Sequence, residues 1–311
     1  MRTPQGAPAA SRAAGEAALR AAQAEGAALA LFPEAWLPGY GCPGVPSGTG
    51  TSARLWASEA ARATGLHIAL GFVDGDRCAL GLAAPDGEAW TYHKRFPTPA
   101  ESRAWRPGER PVVADCALGR VGLLVCADVL HEDAWRPLAG RVDLVLVAAA
   151  WPDYAGREAT LPRLARPLLR PVLRGSNPWR ERLLGRAARA IGAPVLLCNT
   201  IGPSHPPTHA GVVERFSGGS GGWTPVGERI PARAVALAGG GRCMVLEMPA
   251  ATPADAGGGP VATPGWRAFA GAYRAAAATV RIAQGRAYPS EGGARSRCGG
   301  LTSPESWSAR A

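Results

Sequence analysis

Three polar residues of different kinds each follow a predicted strand. Glu34 comes after ALALFP, Lys94 after EAWTYH and Cys126 after VGLLV. Because strand ends in an α/β sheet converge on a cleft, we expect the three side chains to lie together. Cleavage of an amide requires a nucleophile, a base that takes and returns its proton, and positive charge facing the developing oxyanion. The three types predict a thiol amide hydrolase with Cys126 as nucleophile, Glu34 as general base and Lys94 as oxyanion donor.

Lys94 has an argument of its own, because it is the single lysine among 34 basic residues. The sequence is rich in Ala, Gly, Pro and Arg, a bias that replaces Lys with Arg wherever charge alone matters. A compact ammonium approaches an oxyanion as a point charge, whereas a guanidinium is larger and planar. We therefore expect position 94 to require an ammonium.

Each of the three residues also has an ordinary structural explanation. Cys126 could be a small buried hydrophobe, Glu34 a helix cap or an ion-pair partner, and Lys94 a solvated surface charge. The combination of all three at strand ends favours the chemical interpretation.

The elements that would position these residues follow from hydrophobic patterning. In the first half, the sequence predicts a helix over 11–26, a strand over 27–32, a helix over 52–65 capped by Ser52, and then strands. The predicted strands are 67–73, 78–83, 88–93, 111–116 and 121–125.

The second half continues the α/β pattern. It predicts a helix over 131–139, a buried strand over 143–149, a functional loop or lid over 152–176, a helix from an Asn177 cap to Gly192, and a strand over 194–198. Arginines in the predicted lid could recognise a carboxylate or form a solvated face. They are Arg157, Arg163, Arg166, Arg170 and Arg174.

Composition narrows the function classes. The chain has 311 residues and 47% hydrophobic content, enough for a substantial core, and no run approaches the ~20 apolar residues of a membrane span. We expect a cytoplasmic protein. The net charge of +10 is spread along the chain without a basic patch, which argues against nucleic-acid binding. Seven cysteines without C-x-x-C pairs, and His205 and His209 separated by prolines, indicate neither disulfides nor a metal site.

Three segments around the predicted catalytic residues resemble the motifs of the nitrilase, or carbon-nitrogen hydrolase, superfamily. They are LALFPEAWLPGY, YHKRFPTPAESRAWRPGE and VGLLVCADVLHED. Later segments resemble the family in the same order, and the resemblance covers roughly residues 11 to 250. It implies an amidase- or carbamoylase-like branch and an α/β fold, the four-layer α-β-β-α sandwich. It also implies a mechanism without a cofactor, and a homodimer or higher homo-oligomer.

The resemblance implies roles for further residues. Glu101 matches a second active-site glutamate that orients Lys94 or binds the substrate amine, and Glu132 matches a glutamate six residues after the nucleophile. The backbone N–H of Ala127 joins Lys94 at the oxyanion. Trp151 would line the pocket or simply belong to the core, and Tyr40 is equally open between site and structure.

One departure from the family pattern bears on the fold. Only MRTPQGAPA precedes the first helix, where the family begins with a strand, so either the chain starts late or a sheet edge is missing. We predict a carbon-nitrogen hydrolase domain over 1–250, a C-terminal extension with a helix over 251–285, and a disordered tail over 286–311.

The substrate stays open at this point. Cys126 is followed by Ala127-Asp128 rather than the Trp-Glu pair of nitrilases, and His131 replaces a common proline, which favours an amide or carbamoyl amide over a nitrile. Two further alternatives stay open: an acyltransferase that passes the acyl group to an amine, and a non-catalytic member that kept the fold.

Overall fold

The structure, a computed structural model, describes residues 7–40, 47–98, 101–153, 176–203, 215–237 and 241–248. Most of the predicted lid, both loop histidines, the C-terminal extension and the tail lie outside the described residues. Within these ranges, no helix is both long enough and apolar enough to cross a membrane.

The described chain is mixed α/β, which confirms the predicted fold class. Its α-helices are α1 (Pro8–Ala24), α2 (Thr49–Thr64), α3 (Glu132–Trp135) and α4 (Ser176–Ile191). Its first eight strands are β1 (Leu29–Leu31), β2 (His67–Asp74), β3 (Arg77–Ala83), β4 (Ala89–His93), β5 (Val113–Cys116), β6 (Gly119–Val125), β7 (Leu144–Ala149) and β8 (Val195–Asn199). The later strands are β9 (Ile201–Pro203), β10 (Arg215–Ser217), β11 (Gly221–Trp223), β12 (Arg229–Ile230), β13 (Ala232–Ala236) and β14 (Arg242–Leu246).

Two sheets carry the fold. The first has the order β1-β2-β3-β4, with β1 parallel to β2 and the remaining neighbours antiparallel. The second has the order β12-β11-β8-β7-β6-β5, and β6, β7 and β8 run parallel at its centre. β9 pairs with β10, and β13 with β14, as separate two-stranded ribbons.

The two sheets pack face to face, with β2 against β7 and β3 against β6. Alternation along the strands assigns side chains to two cores. Val73 and Leu80 belong to the core between the sheets, whereas Ile68, Leu70 and Phe72 belong to the core under α1 and α2. On the far side, α4 packs against β8 and β11. The contacts thus follow the order helix, sheet, sheet, helix.

Several predicted boundaries are wrong. α2 begins at Thr49 after the left-handed Gly48, so Ser52 is not its cap. α4 begins at Ser176, which places Asn177 inside the helix rather than before it. The start of α2 could not be identified locally, because the cap is the left-handed Gly48, four residues before Ser52.

The predicted helix over 131–139 is also wrong, since α3 contains only four residues. Pro137 has no N–H to donate to the carbonyl of Asp133, and that carbonyl accepts a bond from Arg95 Nη1 instead. Helix α1 is the first element from residue 7 onwards, and β1 forms an edge of its sheet with three residues instead of the predicted six.

Candidate active site

The Glu34 segment lies against the edge of β2. Phe32 N–H donates to the carbonyl of Ala69 at 2.8 Å, and Trp36 N–H donates to the carbonyl of Gly71 at 2.8 Å. A Cβ at Gly71 would come within 2.2 Å of the Pro33 carbonyl oxygen, so only glycine allows this approach. The sequence therefore fixes the backbone that carries Glu34 through a glycine in the neighbouring strand.

The Lys94 segment is held on both sides of its peptide. Lys94 N–H donates to the carbonyl of Cys78 at 2.8 Å, and the Lys94 carbonyl accepts from Gly108 N–H at 2.7 Å. A Cβ at Gly108 would lie 2.1 Å from the carbonyl oxygen of His93. The glycine of the W-x-P-G segment thus permits the chain to fold back on the residue that carries the ammonium.

The nucleophile candidate stands at a strained position. Cys126 follows β6 and has φ +44°, a left-handed conformation that is uncommon for residues other than glycine. A turn of 3-10 helix over Cys126–Leu130 begins there, and Ala127 is its second residue. Strain of this kind persists where the surroundings over-determine it, and it clusters at functional sites.

The predicted residues form one buried cluster. Lys94 Nζ lies 2.7 Å from Glu34 Oε1 and 2.8 Å from Glu101 Oε1. The exposed fraction of the Lys94 side chain is 1%, and those of the two carboxylates are 0%. The Cys126 thiol interacts with the same Glu34 carboxylate, and this interaction raises the pKa of the thiol. Four residues from distant parts of the sequence therefore meet in one place.

Glu101 is held as an anion. Its Oε1 also accepts from Tyr40 Oη at 2.8 Å, and its Oε2 accepts from Thr98 N–H at 2.6 Å. Burial raises the pKa of Glu101, but the Lys94 charge and these donors outweigh burial and lower it overall.

Glu34 differs from Glu101 in the direction of its shift. Burial raises the pKa of Glu34 and the charge of Glu101 raises it further, so Lys94 offsets only part of the rise. Two carboxylates whose pKa values are pushed in opposite directions mark the residue that keeps its charge and the residue that exchanges protons. The raised pKa suits Glu34 to proton exchange, and the lowered pKa suits Glu101 to keeping its charge.

The other two ionisable groups complete the electrostatics. Burial and the Glu34 charge raise the pKa of the Cys126 thiol well above its ordinary value, against the opposing charge of Lys94. Burial by itself would lower the pKa of Lys94, but Glu101 and Glu34 raise it well above its ordinary value. The site therefore favours a neutral thiol beside a charged ammonium, and a thiol in this setting would need a base to become a nucleophile.

Two further groups contact Glu34. Ala150 N–H donates to Glu34 Oε2 at 2.9 Å, and Cys78 Sγ lies 3.6 Å from Glu34 Oε1. Sequence reasoning missed both. Ala150 contributes a main-chain group that no motif would mark, and Cys78 lies inside β3, where it looks like any small core residue.

Tyr40 and Trp151, two further predicted site residues, make contacts beside this cluster. Tyr40 contacts Glu101, and its ring meets Trp105 and Phe216 edge to face, with ring centroids 5.9 and 5.8 Å away. Trp151 directly follows Ala150 and is buried. Its backbone N–H donates to Asn199 Oδ1 at 2.7 Å.

Glu132 is another residue that the family resemblance marked. It begins α3, and its carboxylate lies 3.6 Å from Arg136 Nη2, one helical turn further on. A supporting role for Glu132 stays a prediction.

Asp128 is a third buried carboxylate that sequence reasoning did not identify. It is fully buried two residues after Cys126, and it accepts hydrogen bonds from Val125 N–H and Tyr92 Oη. Its position in the VGLLVCADVLHED segment was the available signal.

The family model for carbon-nitrogen hydrolases matches residues 6–214. An arylacetone-specific nitrilase from Alcaligenes faecalis is 32% identical over 160 residues, which is 44% of this chain and 45% of that protein. A glutamine-dependent NAD(+) synthetase from Thermotoga maritima is 30% identical over 141 residues, 42% of this chain and 24% of that protein. The chain thus spans less than half the length of these curated relatives.

Solved structures resemble the chain over a larger share of its length. A cysteine-to-serine mutant of the Nesterenkonia AN1 amidase, from the nitrilase superfamily, superposes with a TM-score of 0.60 at 25% identity, over 80% of this chain and 88% of that one. A cysteine-to-alanine mutant of the same amidase in complex with butyramide has a TM-score of 0.59 at 25% identity, over 82% and 89%.

Proposed function

The chain belongs to the carbon-nitrogen hydrolase family, and we propose that it hydrolyses the amide or carbamoyl amide bond of a small molecule through a thioester on Cys126. Membership in the family supports cleavage of carbon–nitrogen bonds in general. The observation that carries the finer proposal is the buried cluster in which one ammonium bridges two carboxylates beside a strained cysteine.

In the first half-reaction, Glu34 takes the proton of the Cys126 thiol as the sulfur attacks the carbonyl carbon. The carbon–sulfur bond forms and the carbonyl π electrons move to the oxygen. When the tetrahedral intermediate collapses, the carbon–nitrogen bond breaks and Glu34 returns the proton to the departing amine or ammonia. In the second half-reaction, Glu34 takes a proton from water and the oxygen attacks the thioester carbon. The carbon–sulfur bond then breaks, the acid leaves, and Glu34 returns the proton to the Cys126 sulfur.

The oxyanion is stabilised by Lys94 and by the backbone N–H of Ala127. An ammonium has three N–H donors, and Glu34 and Glu101 accept two of them among the described residues, which leaves one for the oxyanion. Glu101 holds the ammonium between the carboxylates and preserves its charge. Tyr40 supports Glu101, and Trp151 borders the acyl site next to Ala150.

The first experiment measures ammonia release from simple amides, carbamoyl amino acids and nitriles. We expect hydrolysis of an amide or carbamoyl substrate by the wild type and none by Cys126→Ser. Cys116→Ser is the matched control, because Cys116 is a half-buried thiol at the end of β5, paired with the first residue of β6 and away from the Cys126 end of that strand. Hydrolysis by Cys126→Ser at the wild-type rate would sink the proposal.

A second experiment identifies the acyl acceptor. Intact mass spectrometry of a slow substrate should show the acyl group on Cys126, and product analysis with added amines separates hydrolysis from acyl transfer. Formation of the acylated amine in place of the free acid would instead identify an acyltransferase.

Lys94→Arg tests the oxyanion role. We expect turnover to fall by at least about a hundredfold, since loss of one oxyanion donor typically costs ~3 to 4 kcal/mol. Near-native turnover would contradict the role. Assembly as a homodimer or higher oligomer stays a prediction, which light scattering coupled to size-exclusion chromatography would test.

A further inference from the structure

The Asp128 carboxylate receives four hydrogen bonds. Arg95 N–H and Phe96 N–H donate to Oδ1 at 3.1 and 2.9 Å. Val125 N–H and Tyr92 Oη donate to Oδ2, both at 2.9 Å. The exposed fraction of Asp128 is 0%. Both oxygens are therefore occupied by protein donors, and the carboxylate lies behind the site rather than facing a substrate.

These donors come from the two segments that carry the chemistry. Val125 directly precedes Cys126, whereas Arg95 and Phe96 directly follow Lys94. We propose that Asp128 is a positioning residue that fixes the separation between the Cys126 nucleophile and the Lys94 ammonium. This inference rests on the proposed function, and it adds a residue whose role acts through the other two.

The donor set explains why the carboxylate suits this task. Three of the four donors are main-chain N–H groups, which have no acceptor capacity, so a proton on either oxygen would face a donor. A single planar group with two acceptor oxygens can join two backbone segments at once. Asparagine, with the same shape, keeps only one of the two oxygens and would direct an NH2 group at a donor.

The strained turn gives a second reason for such a restraint. Cys126, in its left-handed conformation, begins the turn. The Asp128 carboxylate accepts from the N–H of Val125, the residue before Cys126, so this hydrogen bond spans the strained residue. Trp135 Nε1 donates to the carbonyl of Val129 at 3.0 Å and holds the far side of the same turn. A conformation that costs of order 1–3 kcal/mol persists only under restraints of this kind.

The test measures how fast iodoacetamide alkylates Cys126 as a function of pH, together with kcat and KM on the best amide. The ionisable groups that interact with the thiol include Glu34, Lys94 and Glu101. If Asp128 holds Lys94 near the thiol, then Asp128→Asn lets the ammonium move away from Cys126. The Lys94 charge then lowers the pKa of the thiol less, and the midpoint of the alkylation rate moves to higher pH. Loss of the Asp128 negative charge alone would move the midpoint to lower pH, so the sign separates the two effects.

We expect Asp128→Asn to lower kcat by roughly 10- to 100-fold, as a misplacement of about 1 Å does, with little change in KM. Tyr92→Phe removes one donor and keeps the charge, so it should shift the midpoint upward by less. Asp133→Asn is the matched control, because it makes the same substitution at an exposed carboxylate paired with Arg136, and it should leave both measurements unchanged.

A folded Asp128→Asn with an unchanged or lower alkylation midpoint would overturn the inference. If this variant does not fold, Tyr92→Phe decides: an upward shift supports positioning, and an unchanged midpoint overturns it. If the wild type hydrolyses none of the amides, the proposed function fails, and the alkylation profile still decides the role of Asp128.

Discussion

The two ends of β6 carry charged groups in opposite settings. At the beginning, Arg120 donates from its backbone N–H, Nε and Nη2 to Asp143 at 2.9, 3.0 and 2.8 Å, and about half of each side chain is exposed. At the end, beside Cys126, the Lys94 ammonium lies between two fully buried carboxylates. Water screens the first group and is excluded from the second.

The difference shows what a functional arrangement of charge demands of the fold. The pair at the beginning of β6 is balanced, one cation with one anion, and solvent can replace either partner. The cluster at the end contains one cation and two carboxylates, an imbalance that burial makes unfavourable. The proposed mechanism requires the imbalance, because in it Glu34 exchanges protons while Glu101 keeps Lys94 charged.

The largest expected effect follows from removing the shared cation. Lys94→Met leaves two buried carboxylates facing each other, and loss of one partner of a buried pair typically lowers the free energy of unfolding by about 3–5 kcal/mol. Chemical denaturation at neutral pH measures this loss. Arg120→Met, the matched change at the other end of β6, should keep the melting temperature within roughly 2 °C of wild type. Equal losses at both ends would contradict the comparison.

The next effect separates activity from stability. Glu34→Gln should lower turnover by about 10³-fold, within the usual contribution of a general base. The pKa of Glu34 is raised in the folded protein, so its favourable contribution to folding exists below its unfolded pKa and is lost as pH rises. Glutamine mimics the neutral form, and we therefore expect Glu34→Gln to melt at or above the wild-type temperature at neutral pH.

Glu101→Gln is the matched variant with the opposite sign. The folded pKa of Glu101 is lowered, so its charge stabilises the fold above its unfolded pKa, and that contribution is lost as pH falls through the folded value. Glu101→Gln should therefore melt below wild type at neutral pH. If both glutamine variants shift the melting temperature in the same direction, the assignment of the two carboxylates is wrong.

A smaller effect concerns the pH dependence of kcat/KM. The proposed mechanism requires ionised Glu34, whose pKa is raised chiefly by burial and in part by the Glu101 charge. The pH at which kcat/KM falls on the acid side should therefore lie above the usual pKa range of a glutamate. Glu101→Gln should move this pH to a lower value. Initial rates measured across the acid range test this prediction. An acid limb at higher pH in Glu101→Gln would rule out this electrostatic explanation.

These sites differ in how far the sequence could predict them. Glu34, Lys94 and Cys126 were identifiable because each is a polar residue at the end of an apolar run, and Lys94 is the single lysine. Ala150 was not, because its contribution is a backbone N–H. Asp128 was not either, because its partners are the main chains of two segments that only the folded sheets bring together.

The same distinction applies to the fold. The alternating and continuous apolar runs predicted β2, β3, β6 and β7 to within a few residues. The reason is that most side chains of these strands are buried, so their apolar types mark the strands in the sequence. The strands from β9 onward were missed because four of the six, β9 to β12, are only two or three residues long, and all six are fixed by their pairing partners. Tertiary context determined them, as it determined the first residues of α2 and α4.

The smallest effect is expected at the beginning of β6. Hydrogen bonds from Arg120 lower the pKa of Asp143 to about 2, so the ionised form stabilises the fold above the unfolded pKa, and this contribution is lost as pH falls towards 2. Because both side chains are about half exposed, screening leaves little of this shift as stability. Asp143→Asn should keep kcat/KM unchanged and the melting temperature within roughly 2 °C at neutral pH. Thermal melts at neutral pH and near pH 3 test this, since the difference between variant and wild type should shrink in acid. A large loss of activity would mean that the two ends of β6 are coupled through the strand, and the contrast between them would no longer hold.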